Sequence, residues 1–238
     1  MKSVSEAGLS AIVPVANGET QWRKLLLQLI ALPVVNEIIF SASEQQPEAF
    51  QELFSEGKKI LWICSRVGRA TQQNQAADAA SQKWLWFLHA DSVLMSDTQA
   101  AVNRVLSSGG TGIYYFDLKF VTDEFKFMRL NEVGAWFRSR ILKIPFGDQG
   151  LLMKAETFHK IGRFNEETKY GEDHLLIWKA HQSGHEVSPV GFSLGTSARK
   201  YKINGWLRTT ALHIWLTAKQ ASPQFLQTLR ERHQRERK

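Results

Sequence analysis

The residues whose types and spacing could do chemistry fall in four short stretches. The first closes the run Lys83–Ser92, where five large apolar residues, Trp84 to Leu88, give way to His89 and Asp91. A short aromatic-rich run reads as a strand buried on both faces. Polar groups at its C-terminal end sit where open α/β sheets bind ligands. An imidazole and a carboxylate there could hold a divalent metal, and the metal a diphosphate. Asp91 and Ser92 would equally serve as a turn, or as the cap of a helix starting near Asp97.

The second stretch is Arg66, Gly68, Arg69 and Gln73. Two guanidiniums at a helix N-terminus make an anion site, and the bland reading is surface arginines beside a turn. The third, Phe146-Gly147-Asp148-Gln149-Gly150, is an acidic loop framed by glycines. Asp148 and Gln149 could hydrogen-bond sugar hydroxyls there, or the loop is a simple turn before a strand. The fourth is Glu172-Asp173 after Gly171. Ionised carboxylates suit a helix N-terminus in any protein, and in a cleft one of them could deprotonate an alcohol.

These stretches need elements to position them. From Ser10 onward strand-like and helix-like segments alternate. Ala11–Ala16, Glu37–Ser41, Lys59–Ser65 and Trp84–Leu88 read as strands. Gln21–Leu32 (capped by Thr20), Pro47–Ser55, the alanine-rich Gly68–Gln82 and Asp97–Leu106 read as helices. This order predicts a parallel sheet with helical crossovers, so the loops carrying Asn17, Arg69 and Asp91 converge on one edge. Gly112–Phe120 follows as a strand, then a long helix Glu124–Ile141. Its stripe Phe127, Leu130, Val133, Phe137 and Ile141 reads as core. Strands Leu151–Lys154 and Glu186–Val190, and helices Glu156–Ile161, Asp173–Ser183, Gly205–Lys219 and Pro223–Arg232, complete the chain. No repeat or linker divides it.

The 238 residues suffice for one large domain, and 43% apolar with 22% charged residues is ordinary for a globular protein. The net charge of +7 is too modest to indicate nucleic-acid binding, and +3 of it lies beyond Leu226. Cys64 is alone, which excludes a disulfide framework and reads as a small buried hydrophobe. Neither a signal peptide nor a membrane span is legible. A cytosolic protein is expected, with peripheral contact at the inner membrane surface through the C-terminal helices and basic tail as an option.

In order and spacing, Val13-Pro14 with Asn17, Gly68-Arg69, Leu88-His89-Ala90-Asp91, Gly147-Asp148-Gln149-Gly150 and Glu172-Asp173 resemble the family 2 glycosyltransferases of GT-A fold. The resemblance is to a small bacterial subgroup with a His-Ala-Asp variant of the usual Asp-x-Asp motif and a Gly-Asp-Gln-Gly loop. It runs from about Ser10 to Phe225 and includes Ser197-Ala198-Arg199-Lys200, Gly205 and Ser222-Pro223. It implies an α/β, Rossmann-like single domain: a mostly parallel central sheet flanked by helices, with C-terminal helices. On this reading 1–9 is an extension, 10–225 the transferase domain and 226–238 a basic tail.

The resemblance also implies roles. Pro14, Asn17 and Glu19 border the nucleotide. Arg69, with Arg66 nearby, and Arg199 on a C-terminal loop serve the nucleotide sugar. Asp91, with His89 in the place of the first acid, holds Mn²⁺ or Mg²⁺ on the diphosphate. Asp173, beside Glu172, is the base that deprotonates the acceptor, and Asp148 and Gln149 lie near donor sugar and acceptor. The expected partners are a nucleotide-diphosphate sugar, an acceptor hydroxyl and, as an option, a second copy of the chain. Where this family carries a nucleobase-binding Asp, the turn here reads Ser41-Ala42-Ser43-Glu44, in which Ser41 could hydrogen-bond the base but supplies no carboxylate. That departure, with His89, keeps a non-catalytic nucleotide- or partner-binding protein as the alternative. A nucleotidyltransferase is disfavoured, because no glycine-rich, lysine-containing loop lies near the N-terminus.

Overall fold

The computed structural model describes residues 8–47, 50, 57–121, 128–168, 170–199, 201, 207–208 and 210. Among them, seven strands form one sheet in the order β3-β2-β1-β4-β6-β5-β7. The first half is wholly parallel: β3 (Lys59–Cys64), β2 (Glu37–Ala42), β1 (Leu9–Val15) and β4 (Trp84–Phe87). Then β6 (Leu151–Lys154) runs antiparallel to both β4 and β5 (Ile113–Val121), and β5 pairs in parallel with β7 (Val187–Ser197). The sheet is therefore mostly parallel, with one reversed strand wedged beside β4.

Helices cover both faces, as a parallel sheet requires. Alternate residues of the strands divide the core between the two sides. Leu9, Ala11 and Val13 of β1 and Trp84 and Trp86 of β4 pack with α1 (Trp22–Ile30) and α3 (Thr98–Ser108). Ile12, Leu85 and Phe87 pack on the other side with α2 (Arg69–Ala79), α5 (Ala155–Ile161) and α6 (Glu172–Gln182). All four residues of β4 are buried, as the apolar run predicts. The helix α4 (Met128–Arg140) lies against β5, where Met128 and Ala135 join Leu118 and Phe120.

Three sequence expectations change. Thr20 does not cap α1: the N-cap residue is Gln21, without a side-chain cap bond, and Glu19 Oε1 accepts the amides of Thr20 and Gln21 just before the helix at 2.9 Å each. Cys64 is exposed, because β3 is the edge strand and the residue lies at its last position. The α4 stripe is reversed: Leu130, Val133, Phe137 and Ile141 face outward, and the core side holds Met128, Ala135 and Ser139. Periodicity identifies a stripe but not which side of the helix meets the sheet. The Pro47–Ser55 helix and the C-terminal helices lie almost wholly outside the described residues, as does Phe127.

Trp86 sits at the centre of the sheet, fully buried, its ring centroid 5.6 Å from that of Phe116. Its Nε1 finds no hydrogen-bond partner among the described residues. Truncation to Ala should cost about 3–5 kcal/mol in denaturant unfolding. Trp86→Phe should cost clearly less, because it also removes the orphaned N–H.

Candidate functional site

Parallel pairing sends the C-terminal ends of β1 to β4 to the same edge of the sheet, and a cleft of about 560 Å³ opens there. Arg69, His89, Asp91, Asp148, Glu172 and Asp173 all line it, so the four stretches do meet.

Arg69 is the hub. Its Nε donates to Oε1 of Glu172, its Nη1 lies 3.2 Å from Nε2 of His89, and its Nη2 lies 3.9 Å from Oδ1 of Asp173. Burial works against this guanidinium, but Asp173 and Glu172 outweigh it and hold the pKa above the ordinary arginine value. An arginine nitrogen can only donate, so in this contact His89 Nε2 is the acceptor. A metal on Nε2 would have to displace that contact.

Glu172 and Asp173 open α6, and Gly171 makes the opening: its φ of 69° lets the chain turn directly into the helix. Asp173 Oδ2 accepts the amide of Gly147, and Oδ1 accepts that of His174 at 2.9 Å. Burial pushes this carboxyl up, but Arg69 and the two amides prevail and keep its pKa below the usual carboxylate value. Gly147 has a steric reason to be glycine. A Cβ there would lie 2.9 Å from both Asp173 Oδ2 and His89 Nε2.

Asp148 is tuned the opposite way. Its Oδ1 is sealed from solvent without a hydrogen-bond partner among the described residues. Burial drives its pKa up; Asp173 and Asp91 add to this, while Arg138 and Arg69 oppose it. Two carboxyls of one cleft are thus pushed apart, as sites that divide acid and base roles require.

Gln149 does not face the cleft, against expectation. It is fully buried; its Nε2 donates to the Phe116 carbonyl at 2.9 Å, and its Oε1 accepts from Arg138 at 3.1 Å and from the Phe146 amide at 3.2 Å. It braces the loop that presents Asp148. Arg138 was not singled out in the sequence. Its guanidinium packs 3.4 Å from the Phe146 ring centroid, and its Nε donates to the Ile144 carbonyl at 3.0 Å. Nothing local distinguishes it among the 30 Lys and Arg of the chain.

Ser41 is also displaced from its expected role: it is completely buried within β2, its Oγ without a partner among the described residues. Ser43, two residues on, is the serine at the strand end, donating to Asn17 Oδ1 at 2.5 Å. Pro14 is buried in β1. Glu19 pairs with Arg199, joining the first-strand loop to the segment after β7; burial raises its pKa, but the Gln21 amide and Arg199 bring it below the usual value. Arg66 is largely exposed, 3.6 Å from Glu166. Asp91 lies inside the turn His89–Ser92, which Ser92 closes, its Oγ accepting the His89 amide at 3.1 Å, and a bridge between Val93 and Gly195 ties that turn to β7.

No family model matches the chain, and no curated protein matches its sequence. Solved structures share its fold. TarS 1-349 of S. aureus, in complex with UDP-GlcNAc, superposes with a TM-score of 0.63 at 16% identity, covering 80% of this chain and 58% of that one. The mannosyltransferase PcManGT of Pyrobaculum calidifontis, in complex with GDP-Man and Mn²⁺, gives 0.66 at 19% identity, covering 94% and 68%. The chain thus spans little more than half of the TarS fragment. The architecture, an α/β domain with a seven-stranded, mostly parallel sheet, is one found in glycosyltransferases.

Among the described residues no three His, Cys, Asp or Glu side chains cluster as a ready metal cage. The donor chemistry nonetheless fits a divalent ion that shares its ligands with a phosphate. Among the described residues, the cleft lining holds six acidic side chains (Asp91, Asp148, Glu166, Glu167, Glu172 and Asp173) and one arginine, Arg69. A diphosphate would be repelled there without a further cation. Asp91, and Asp148 with its unpartnered oxygen, would hold the ion.

Two outcomes are expected. Gly147→Ala should lose about 1–3 kcal/mol in thermal unfolding through overpacking against Asp173 and His89. Asp148→Asn should raise the melting temperature at pH 7, because the folded state disfavours the ionised carboxyl. That gain should shrink as pH falls towards the ordinary carboxylate pKa, where Asp148 is protonated in both states. Melting curves between pH 4.5 and 8 check the sign; an unchanged or lowered value at pH 7 contradicts it.

Proposed function

We propose that the chain is an inverting, family 2-type glycosyltransferase that moves a sugar from a nucleotide-diphosphate sugar to an acceptor hydroxyl. The observation that carries this reading is Asp173: a carboxylate kept ionised by Arg69 and two amides, in the same cleft as Asp91 at the ends of parallel strands. The neighbours of like fold are described in complex with UDP-GlcNAc and GDP-Man, which supports a nucleotide-sugar donor.

Each residue then has a task. Asn17 and Ser43, bonded to each other just after β1 and β2, would border the nucleoside. Glu19 pairs with Arg199, and on this reading Arg199 would leave that pair to meet the diphosphate. Asp91 and Asp148 would hold a divalent ion, which when bound would offset the negative charge of a departing diphosphate. Asp173 accepts the acceptor's proton as that oxygen bonds to the anomeric carbon. One displacement on the face opposite the leaving group inverts that carbon. Glu172 stays on Arg69, which keeps Asp173 ionised and oriented.

The test is release of nucleoside diphosphate from a panel of nucleotide sugars with Mn²⁺. Asp173→Asn should lower kcat by about 10²–10⁴-fold with little change in donor KM. Because Asp173 is held below its usual pKa, its protonation should not cut activity until pH drops below the ordinary carboxylate range. Full activity in Asp173→Asn sinks the assignment. The buried Ser41 and the engaged His89 favour, as a second reading, a binding protein without turnover. Metal-dependent turnover by the wild type would dispose of it.

A further inference from the structure

The outward stripe of α4 has no role in the reading above. Leu130, Val133, Phe137 and Ile141 are each more than half exposed, Val133 reaching 64%. They recur at intervals of three and four, on the side of the helix opposite Met128, Ala135 and Ser139. Trp136 and Leu142 widen the stripe, at 48% and 53% exposed. Six of the eleven exposed large hydrophobic residues among those described therefore fall between 130 and 142. Such concentration marks a binding surface rather than scattered surface apolarity.

Charge indicates the occupant. Among the described residues, the exposed ionic side chains at the two ends of the stripe are Arg129 and Lys143, both cationic. The nearby acids are engaged: Glu132 accepts the Phe120 amide at 2.7 Å, and Asp117 pairs with Arg140. A second copy docked by the same stripe would bring cation against cation in either helix direction. An aromatic and aliphatic face flanked by Lys and Arg matches an anionic bilayer surface instead. At 13 residues α4 would lie in the interface, and among the described residues no helix is long and apolar enough to cross a membrane.

We propose that the outer face of α4 is a membrane-docking surface for anionic lipid. This surface is separate from the cleft, and it does not depend on the transferase reading.

The test is co-sedimentation of the full chain with vesicles of phosphatidylcholine alone and of phosphatidylcholine with phosphatidylglycerol. The wild type should sediment with the anionic vesicles, and Val133→Asp/Phe137→Asp should lower the partition coefficient by at least about tenfold. Arg129→Glu/Lys143→Glu should weaken binding chiefly at low salt. Both stripe positions are exposed, so the melting temperature should stay within a degree or two. Three outcomes overturn the proposal. Binding of anionic vesicles by the double Asp variant as strong as the wild type's assigns the binding to the basic tail. A wild type that ignores the vesicles while the variant melts much lower means that the stripe is covered by the chain itself. A wild-type dimer by light scattering that the variant dissolves, with no vesicle binding, makes the stripe a subunit interface.

Discussion

One cation organises the site. Arg69 reaches from the start of α2 to the acids that open α6 and to the histidine that ends the β4 turn. Three segments distant in sequence are thereby held at fixed separation around one guanidinium. Glu172 and Asp173 are buried while Arg69 stays partly exposed, so removing Arg69 would leave two buried acids without their cation. The arrangement is therefore mutually enforcing: the acids keep Arg69 charged, and Arg69 keeps Asp173 ionised.

The sheet makes that arrangement reachable. Parallel pairing of β3, β2, β1 and β4 brings the loops after them to one edge. The reversed strand β6 then delivers the loop that precedes it, Gly147–Gly150, beside the end of β4. This is why Gly147 can place its amide on Asp173 while Asp148 is enclosed among charges of both signs. The same cleft thus contains one carboxyl pushed down and one pushed up, with no change of residue type.

Much of this was legible in the sequence, and the misses have physical causes. The apolar run at Trp84–Phe87 and the strand-helix alternation specify the parallel half of the sheet, because burial on both faces leaves a continuous apolar signature. Residue types at loop positions indicated Arg69, Asp91 and Asp173 as cleft residues. Gln149 was misjudged because a one-residue step from Asp148 within the loop turns its side chain from cleft to core, where Arg138 of α4 meets it. Ser41 lies inside β2 and is buried, whereas Ser43 lies just past the last strand residue, Ala42, and reaches Asn17. The α4 stripe shows a further limit: helical spacing reports an apolar face, and only packing decides whether the sheet or the surroundings receive it. The edge position of β3, which exposes Cys64, depends on strand order that no local pattern encodes.

The central claim is that an acidic cleft, with Arg69 already committed to its own acids, takes a diphosphate only together with a divalent ion. Calorimetric titration of the wild type and Asp91→Ala with UDP and GDP, each with and without Mn²⁺, tests it most directly. The account predicts nucleoside diphosphate binding that strengthens by at least about tenfold with Mn²⁺ in the wild type and loses that dependence in Asp91→Ala. Binding of equal strength with and without the metal, unchanged by the substitution, would contradict it.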